Sequence, residues 1–384
     1  MQAKLEVIEQ KRQAQVARIH KEVSQFGSFE SQYKKLRAFR DELRKFYQWS
    51  FFDKLFIPKL TQITTGDLLD HHILAYFAPF EFKRVSWGGG GIRYPYVHIK
   101  LLSEKLHSQG SRFIYVSLPL KGMIYPEYAV DEKFFIKSAP TAPQFRKMTL
   151  KLLEEKVEVL DMFPIFMENK DKNLFCYEHN ISTSGCELTA QIIADYIKET
   201  TILKTENQAK FTKTTQQTDN DKRTRQCLTS KIYKDKTPYI VPNRAGIKAM
   251  QQVIKDYQLP PYEITLTNNN IAIFGNCNLQ GFHDEATGIA SNLAYNLNTE
   301  IDYLGRKLIF KNDFDKFDAE TYQECCRREI VICIGFLTGS FVRSSVIFRK
   351  KECYKRIKQV AFRHFKIDKI NKILYNHFSD ISLD

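Results

Sequence analysis

The stretch "NNNIAIFGNCNLQGF", residues 268–282, sets Cys277 just past a short apolar run and a glycine. Ile271, Ile273 and Phe274 read as a buried strand and Gly275 as a tight turn. The pattern through Ile289, Leu293 and Leu297 reads as the helix that follows. A strand–turn–helix junction aims backbone amides outward at the helix start, where they favour anions. In that setting Cys277 is favoured as a thiolate and is a candidate nucleophile, with amides near Gly275 and Asn278 to hold an oxyanion. The same cysteine also fits a small, packed hydrophobe. A thiol nucleophile needs a base. His283, six residues beyond Cys277, is one candidate.

These residues need a scaffold. "YPYVHIKLLSEKLHSQG" carries helical periodicity, "SRFIYVSLPL" is strand-like, "CELTAQIIADYIKE" is again helical, and "REIVICIGF" is a second apolar strand beside the one before Gly275. Helices alternating with buried strands predict an α/β protein with a mostly parallel, doubly wound sheet, residues 63–340 forming that domain. Cys277 is then expected at a strand's carboxyl edge. Residues 1–62 read as a helical extension, with a loose stripe of Leu5, Ile8, Val16, Ile19 and Val23 and a break near Gly27. Such an extension offers a surface for packing or for a homo-oligomer. Residues 204–237 are polar and poor in bulky hydrophobes, which predicts an exposed, mobile insertion. Gly88 to Gly91 are read as a flexible connection, the spacing of a phosphate-binding glycine loop being absent.

The 384 residues carry a formal net charge of +14, and 43% hydrophobic content supports a packed core. Much of the charge falls near the carboxyl terminus. Residues 343–372 hold eleven Lys or Arg against Glu352 and Asp368, and Ile357, Val360, Phe365 and Ile370 give residues 341–384 the pattern of a basic helix with one apolar face. A basic face implies an acidic partner, whether nucleic acid, anionic polysaccharide, nucleotide phosphates or a membrane surface, or simply a solvated surface. No apolar run of about 18 residues marks a transmembrane segment and the amino terminus lacks a signal-peptide pattern. The eight cysteines include the adjacent pair Cys325 and Cys326, and several lie in strand patterns; they read as reduced thiols of a cytoplasmic protein. No metal-ligand spacing and no firmly bound cofactor is expected.

Three pieces, in order, resemble the SGNH-like O-acetyltransferases associated with alginate and other bacterial exopolysaccharides. "GSRFIYVSLPLKGMIYPEY" is similar to that family's strand and turn, through Pro119, Lys121, Ile124, Tyr125, Pro126 and Glu127. "FCYEHNISTSGCELTAQIIADYI" resembles its Asp-x-His-Trp segment before a glycine and a helix, and "IAIFGNCNLQGF" its Gly-Asp-Ser nucleophile turn. The resemblance spans about residues 97–340 and implies an SGNH-hydrolase-like sheet and acyl transfer by a serine, a histidine and an orienting aspartate. Anchored on Gly185, it sets Glu178 at the aspartate, Asn180 at the histidine, Ile181 at the tryptophan, Asn276 at the second aspartate and Cys277 at the serine. A one-residue slip sets His179 at the histidine instead. Gly-Asn-Cys also resembles the polysaccharide-biosynthesis acetyltransferases whose strand ends in Gly-Asn-Cys-Gln, a group associated with coenzyme A; Asn278 stands at the fourth place. The resemblance implies an acetyltransferase or esterase acting on a carbohydrate, with acetyl-coenzyme A a candidate donor. Its alternative is an inactive relative that binds glycan or a partner through the cleft and the basic helix.

Overall fold

The computed structural model describes residues 2–32, 34, 93–119, 121–125, 143–172, 174–175, 181–201, 211–217, 228–239, 241, 269–275, 288–305, 325–326 and 328–335. Five strands, β1 (Arg112–Ser117), β2 (Val159–Asp161), β6 (Ile271–Gly275), β7 (Asp302–Gly305) and β8 (Ile330–Gly335), form one sheet in the order β2-β1-β8-β6-β7. Every pairing is parallel. Both faces of such a sheet are covered, so its strands are apolar runs instead of alternating ones. The chain obeys this: β6 and β8 are buried at every position and β1 at all but Arg112. The central strand is the last described one, so the sheet closes only when residues 330–335 are in place.

Helices α2 (Arg93–Ser108) and α4 (Pro143–Glu154) flank the sheet, as do α6 (Thr183–Thr200) and α7 (Ile289–Leu297), which pack along each other. This is the expected α/β architecture. Short turns α3 (Lys121–Ile124) and α5 (Phe163–Glu168) follow β1 and β2. The amino-terminal helix α1 (Gln2–Phe26) ends at Gly27, whose φ of +92° favours glycine and accounts for the expected break. Ile19 is fully buried and Val16 packs against the core, whereas Leu5 is exposed. The helix therefore docks onto α4 and α6 and onto the edge strand β2.

Polar contacts fix that docking. Arg146 of α4 is wholly buried; its Nη1 donates to both oxygens of Asp161 at 2.8 Å, and its Nε and Nη2 donate to Glu22 of α1 at 2.9 and 2.6 Å. Gln15 of α1 donates to the Val159 carbonyl and accepts from the Asp161 N–H, capping the open edge of β2. At the amino edge, Arg112 of β1 donates to Glu158 and to Thr200 and Thr201 at the end of α6. Across the sheet, Arg328 pairs with Asp302 at 2.9 Å and donates to the Asn269 carbonyl, and Asn269 donates to Asp302.

Residues 204–237 differ from the expectation of a mobile insertion. Their described part forms an antiparallel hairpin of β3 (Phe211–Gln217) and β4 (Leu228–Lys234), joined by the two-residue β5 (Thr237–Pro238). Ile232 is fully buried, and Phe211 stacks edge-on against Tyr239 with centroids 4.9 Å apart. Few bulky residues suffice because they lie on one face of the hairpin, which packs on α6 and α7. The basic stretch 341–384 and the four glycines at 88–91 lie outside the described residues. None of the described helices is long and apolar enough to cross a membrane.

Candidate active site at the carboxyl edge of the sheet

Gly275 ends β6 paired with Ile334, while Ser117 of β1 pairs with Asp161 and Gly335. These strand ends define one edge. Cys277, Asn276, Asn278 and His283 follow Gly275 and lie outside the described residues, as do Glu178, His179 and Asn180. Helix α7, the next described element after Cys277, nevertheless packs along α6, the helix that follows Asn180.

Helix α6 runs opposite to the sheet. Its last turn takes the Arg112 guanidinium at the amino end of β1, so its first turn faces the carboxyl edge. That first turn is capped by Ser182, whose Oγ accepts from the Gly185 N–H at 3.1 Å. Just before it, Phe175 and Ile181 form an antiparallel bridge, and the Ser182 N–H donates to the Leu174 carbonyl at 3.0 Å. The segment holding Glu178, His179 and Asn180 is thus tied at both ends. Gly185 makes the tie close: a Cβ there would stand 2.3 Å from Ile181 Cγ2 and 2.4 Å from the Leu174 oxygen. Backbone cannot yield as a flexible side chain can. Gly185→Ala is accordingly expected to lose about 1–3 kcal/mol of stability, read by chemical denaturation; an unchanged midpoint would mean that the bridge is not this tight.

The first motif supports the second. Tyr125 is buried, donates its hydroxyl to the Lys170 carbonyl at 2.6 Å and accepts the Leu174 N–H at 3.2 Å. Its ring meets Phe175 edge-on at 6.1 Å, and Phe166 meets Phe175 from another side. Tyr125 therefore fixes the strand entering the Glu178–Asn180 segment. Sequence reading had placed Tyr125 in a motif without giving it this task. Pro119 is buried beyond β1, while Pro126 and Glu127 lie outside the described residues.

The helix expected at Cys277 requires correction. Helix α7 begins at Ile289 with Gly288 as its N-cap, so the helix start that carries Ile289, Leu293 and Leu297 lies well downstream of Cys277 and does not supply its amides. The apolar periodicity was correct, but its first turn was placed too early. The start of α7 instead reaches α6: the Ile289 N–H donates to the Cys186 sulfur. The segment that leaves at Gly275 therefore returns beside the first turn of α6, next to the tie that bounds His179.

Four described cysteines, Cys186, Cys325, Cys326 and Cys333, are free thiols. Burial pushes the Cys186 thiol up to about 12, and burial, with Cys325 nearby, pushes Cys333 higher. Neither can form a thiolate near neutrality. Asp161 lies at the carboxyl edge too, but Arg146 occupies both its oxygens, so it is held as a structural anion. Among the described residues no cluster of His, Cys, Asp and Glu has the arrangement of a metal site.

Residues 83–244 match the family described as the SGNH hydrolase-like domain of acetyltransferase AlgX. The match contains the first two motifs and stops before Gly275 and Cys277. A comparison with the curated proteins finds no match. Among solved structures, the O-acetyltransferase domain of Pseudomonas putida AlgJ aligns at a TM-score of 0.44 and 11% identity, over 70% of this chain and 91% of that one. Pseudomonas aeruginosa AlgX aligns at 0.41 and 12%, over 63% and 55%. Bacillus cereus PatB1 with a sulfonyl adduct aligns at 0.42 and 14%, over 66% and 92%. The parallel sheet flanked by helices and the family match to residues 83–244 together give this chain an SGNH-like fold of the kind its motifs resemble.

Proposed function

We propose that this chain transfers acetyl groups to a polysaccharide, with Cys277 as the nucleophile. The observation that supports the reading is the contact between Cys186 and Ile289, which gathers the bounds of the two motif-bearing segments at one edge of an SGNH-like sheet. His179 removes the Cys277 proton and Glu178 orients the imidazole. The thiolate attacks the carbonyl of an acetyl donor such as acetyl-coenzyme A. Backbone amides near Gly275 and Asn278 take the oxyanion, with Asn180 as a further donor. Collapse expels the donor's thiolate, which takes the proton from His179, and leaves a thioester on Cys277. A sugar hydroxyl then attacks that thioester, gives its proton to His179 and releases the Cys277 thiolate with formation of the ester. A reducing cytoplasm keeps such a thiol active, and the free state of the described cysteines fits that setting.

Incubation with acetyl-coenzyme A and mapping of the acetylated peptide tests the reading. Acetyl on Cys277 is expected. Mild alkylation near neutral pH should likewise modify Cys277 well before Cys186 and Cys333, which burial keeps as thiols. A second reading has its own observation: the tight packing at Gly185 favours the register that sets Asn180 where the resembled family has its histidine. An intact, unacetylated Cys277 after incubation with donor and acceptor would make the protein a glycan-binding relative without turnover.

A further inference from the structure

A cavity of about 480 Å³ opens at the amino edge of the sheet, on the side away from Gly275 and Ser117. Its floor is the start of β1 and β2, at Arg112 and Val159, and helix α1 and the last turns of α6 wall it. The volume is that of a small-molecule site. Leu5, Ile8, Val159 and the Tyr196 ring supply an apolar lining. Leu5, at the lip, is 60% exposed and is the large hydrophobic side chain left in water among the described residues. Something apolar would be stabilised against it.

The polar groups inside the cavity are already engaged. Arg112 donates to Glu158 on one side and to Thr200 and Thr201 on the other, and Tyr196 donates its hydroxyl to Glu158. At the lip, the Glu9 carboxylate accepts from Arg12 and Gln13. What remains is cationic. Lys156 and His107 line the same cavity, and among the described residues neither side chain is in a hydrogen bond or an ion pair. The turn that carries Lys156 is held against α1, because the Lys156 N–H and the Arg12 guanidinium both donate to the Leu153 carbonyl, at 3.0 and 2.7 Å. The cation and the apolar wall therefore keep a set spacing. A purely apolar ligand would leave Lys156 and His107 unused, and a compact anion would leave Leu5 and Ile8 wet. A hydrocarbon chain with an anionic head uses both: burial of the chain against the wall and charge-assisted bonds to the head.

We propose that this cavity binds a single-chain amphipathic anion, its hydrocarbon chain between Leu5, Ile8, Val159 and Tyr196 and its carboxylate or phosphate head beside Lys156 and His107. The site stands apart from the acetyl-transfer reading, because it lies at the opposite edge of the sheet. The probes are octanoate, decanoate and dodecanoate, titrated as monomers into the full chain by calorimetry, with decanol as the neutral counterpart. Affinity is expected to rise about three- to fourfold per methylene from octanoate to decanoate, as buried hydrocarbon requires, and decanol should bind at least about fivefold more weakly than decanoate. Leu5→Glu, a change at an exposed position, should weaken decanoate about tenfold or more. Lys156→Gln with His107→Gln should bring decanoate to the level of decanol and leave decanol unchanged, while Lys156→Arg should keep decanoate within about twofold of the parent. Vesicles of phosphatidylglycerol identify the source of the chain. Co-sedimentation that Leu5→Glu abolishes assigns it to a membrane lipid, and decanoate binding without co-sedimentation assigns it to a free fatty acid. The proposal is overturned by a parent that binds none of the three acids, by equal affinities for octanoate and dodecanoate, by decanol binding as tightly as decanoate, or by a Leu5→Glu variant that binds as the parent does.

Discussion

Cys277→Ala is expected to lower acetyl transfer by about a thousandfold or more, with thermal stability unchanged. The magnitude follows from the role: without a nucleophile no thioester forms, and only proximity of donor and acceptor remains. Gly275, two residues earlier, is rigidly held, since β6 is buried throughout and paired on both sides by β8 and β7. The start of the Cys277 segment therefore has a fixed origin. Replacing His179 with alanine should remove most of the same activity and also move the pH at which Cys277 is half-alkylated. An ordinary thiol titrates near about 8.5, and an adjacent imidazolium lowers that value. The parent should alkylate at lower pH than the His179→Ala variant. Should the two profiles superimpose, His179 is not the partner, and the same experiment on His283→Ala tests the remaining candidate.

The parts of this architecture that sequence disclosed are those whose pattern is local. β1, β6 and β8 are buried on both faces, so each appears as an apolar run that no amphipathic helix would produce. Helix α6 announced itself by its apolar periodicity from Cys186 onward, while its Ser182 cap came only with the structure. Gly185 was usable as an anchor because the bridge between Phe175 and Ile181 leaves no space for a side chain. The hairpin was hidden by its polarity. Among its described side chains Ile232 is buried and Phe211 partly so, and their value depends on α6 and α7, which are remote in sequence. The beginning of α7 was misjudged because periodicity locates a helix's apolar face better than its first turn. β2, three residues long, offers no period at all; its position is fixed by hydrogen bonds from β1 and from Gln15. The buried charges could not be read locally either, since Glu22, Arg146 and Asp161 are brought together only by the fold.

That last cluster carries the second large effect. Arg146→Leu is expected to cost about 3–5 kcal/mol of stability, measured by urea or guanidinium denaturation. The loss exceeds that of an exposed ion pair because Arg146 and Asp161 have no access to solvent, and removal of the guanidinium leaves the Asp161 carboxylate buried with its bidentate partner gone. Phe163, against whose ring the guanidinium lies at 4.9 Å, loses a contact as well. Lysine should recover only part of the deficit, since one ammonium cannot serve two carboxylates in fixed planes. Joint replacement by Arg146→Met, Asp161→Leu and Glu22→Gln should be far milder than Arg146→Leu alone, because no buried charge is left unpaired and Arg18, the other cation near Asp161, reaches solvent. The single variant has a structural signature too. Glu22 then loses its hydrogen bonds to α4, so α1, still tied there through Arg12 and the Leu153 carbonyl, should loosen at its carboxyl half and proteolysis should reach residues 2–26 sooner than in the parent. Since Gln15 of the same helix caps β2 and Asp161 ends β2 in register with Ser117, that loosening is transmitted to the carboxyl edge. Arg146→Leu should then slow acetyl transfer even at temperatures where the protein is folded, through disorder of the edge and not through loss of a reacting group. Full activity together with an unprotected α1 would show that the edge is held without the amino-terminal helix.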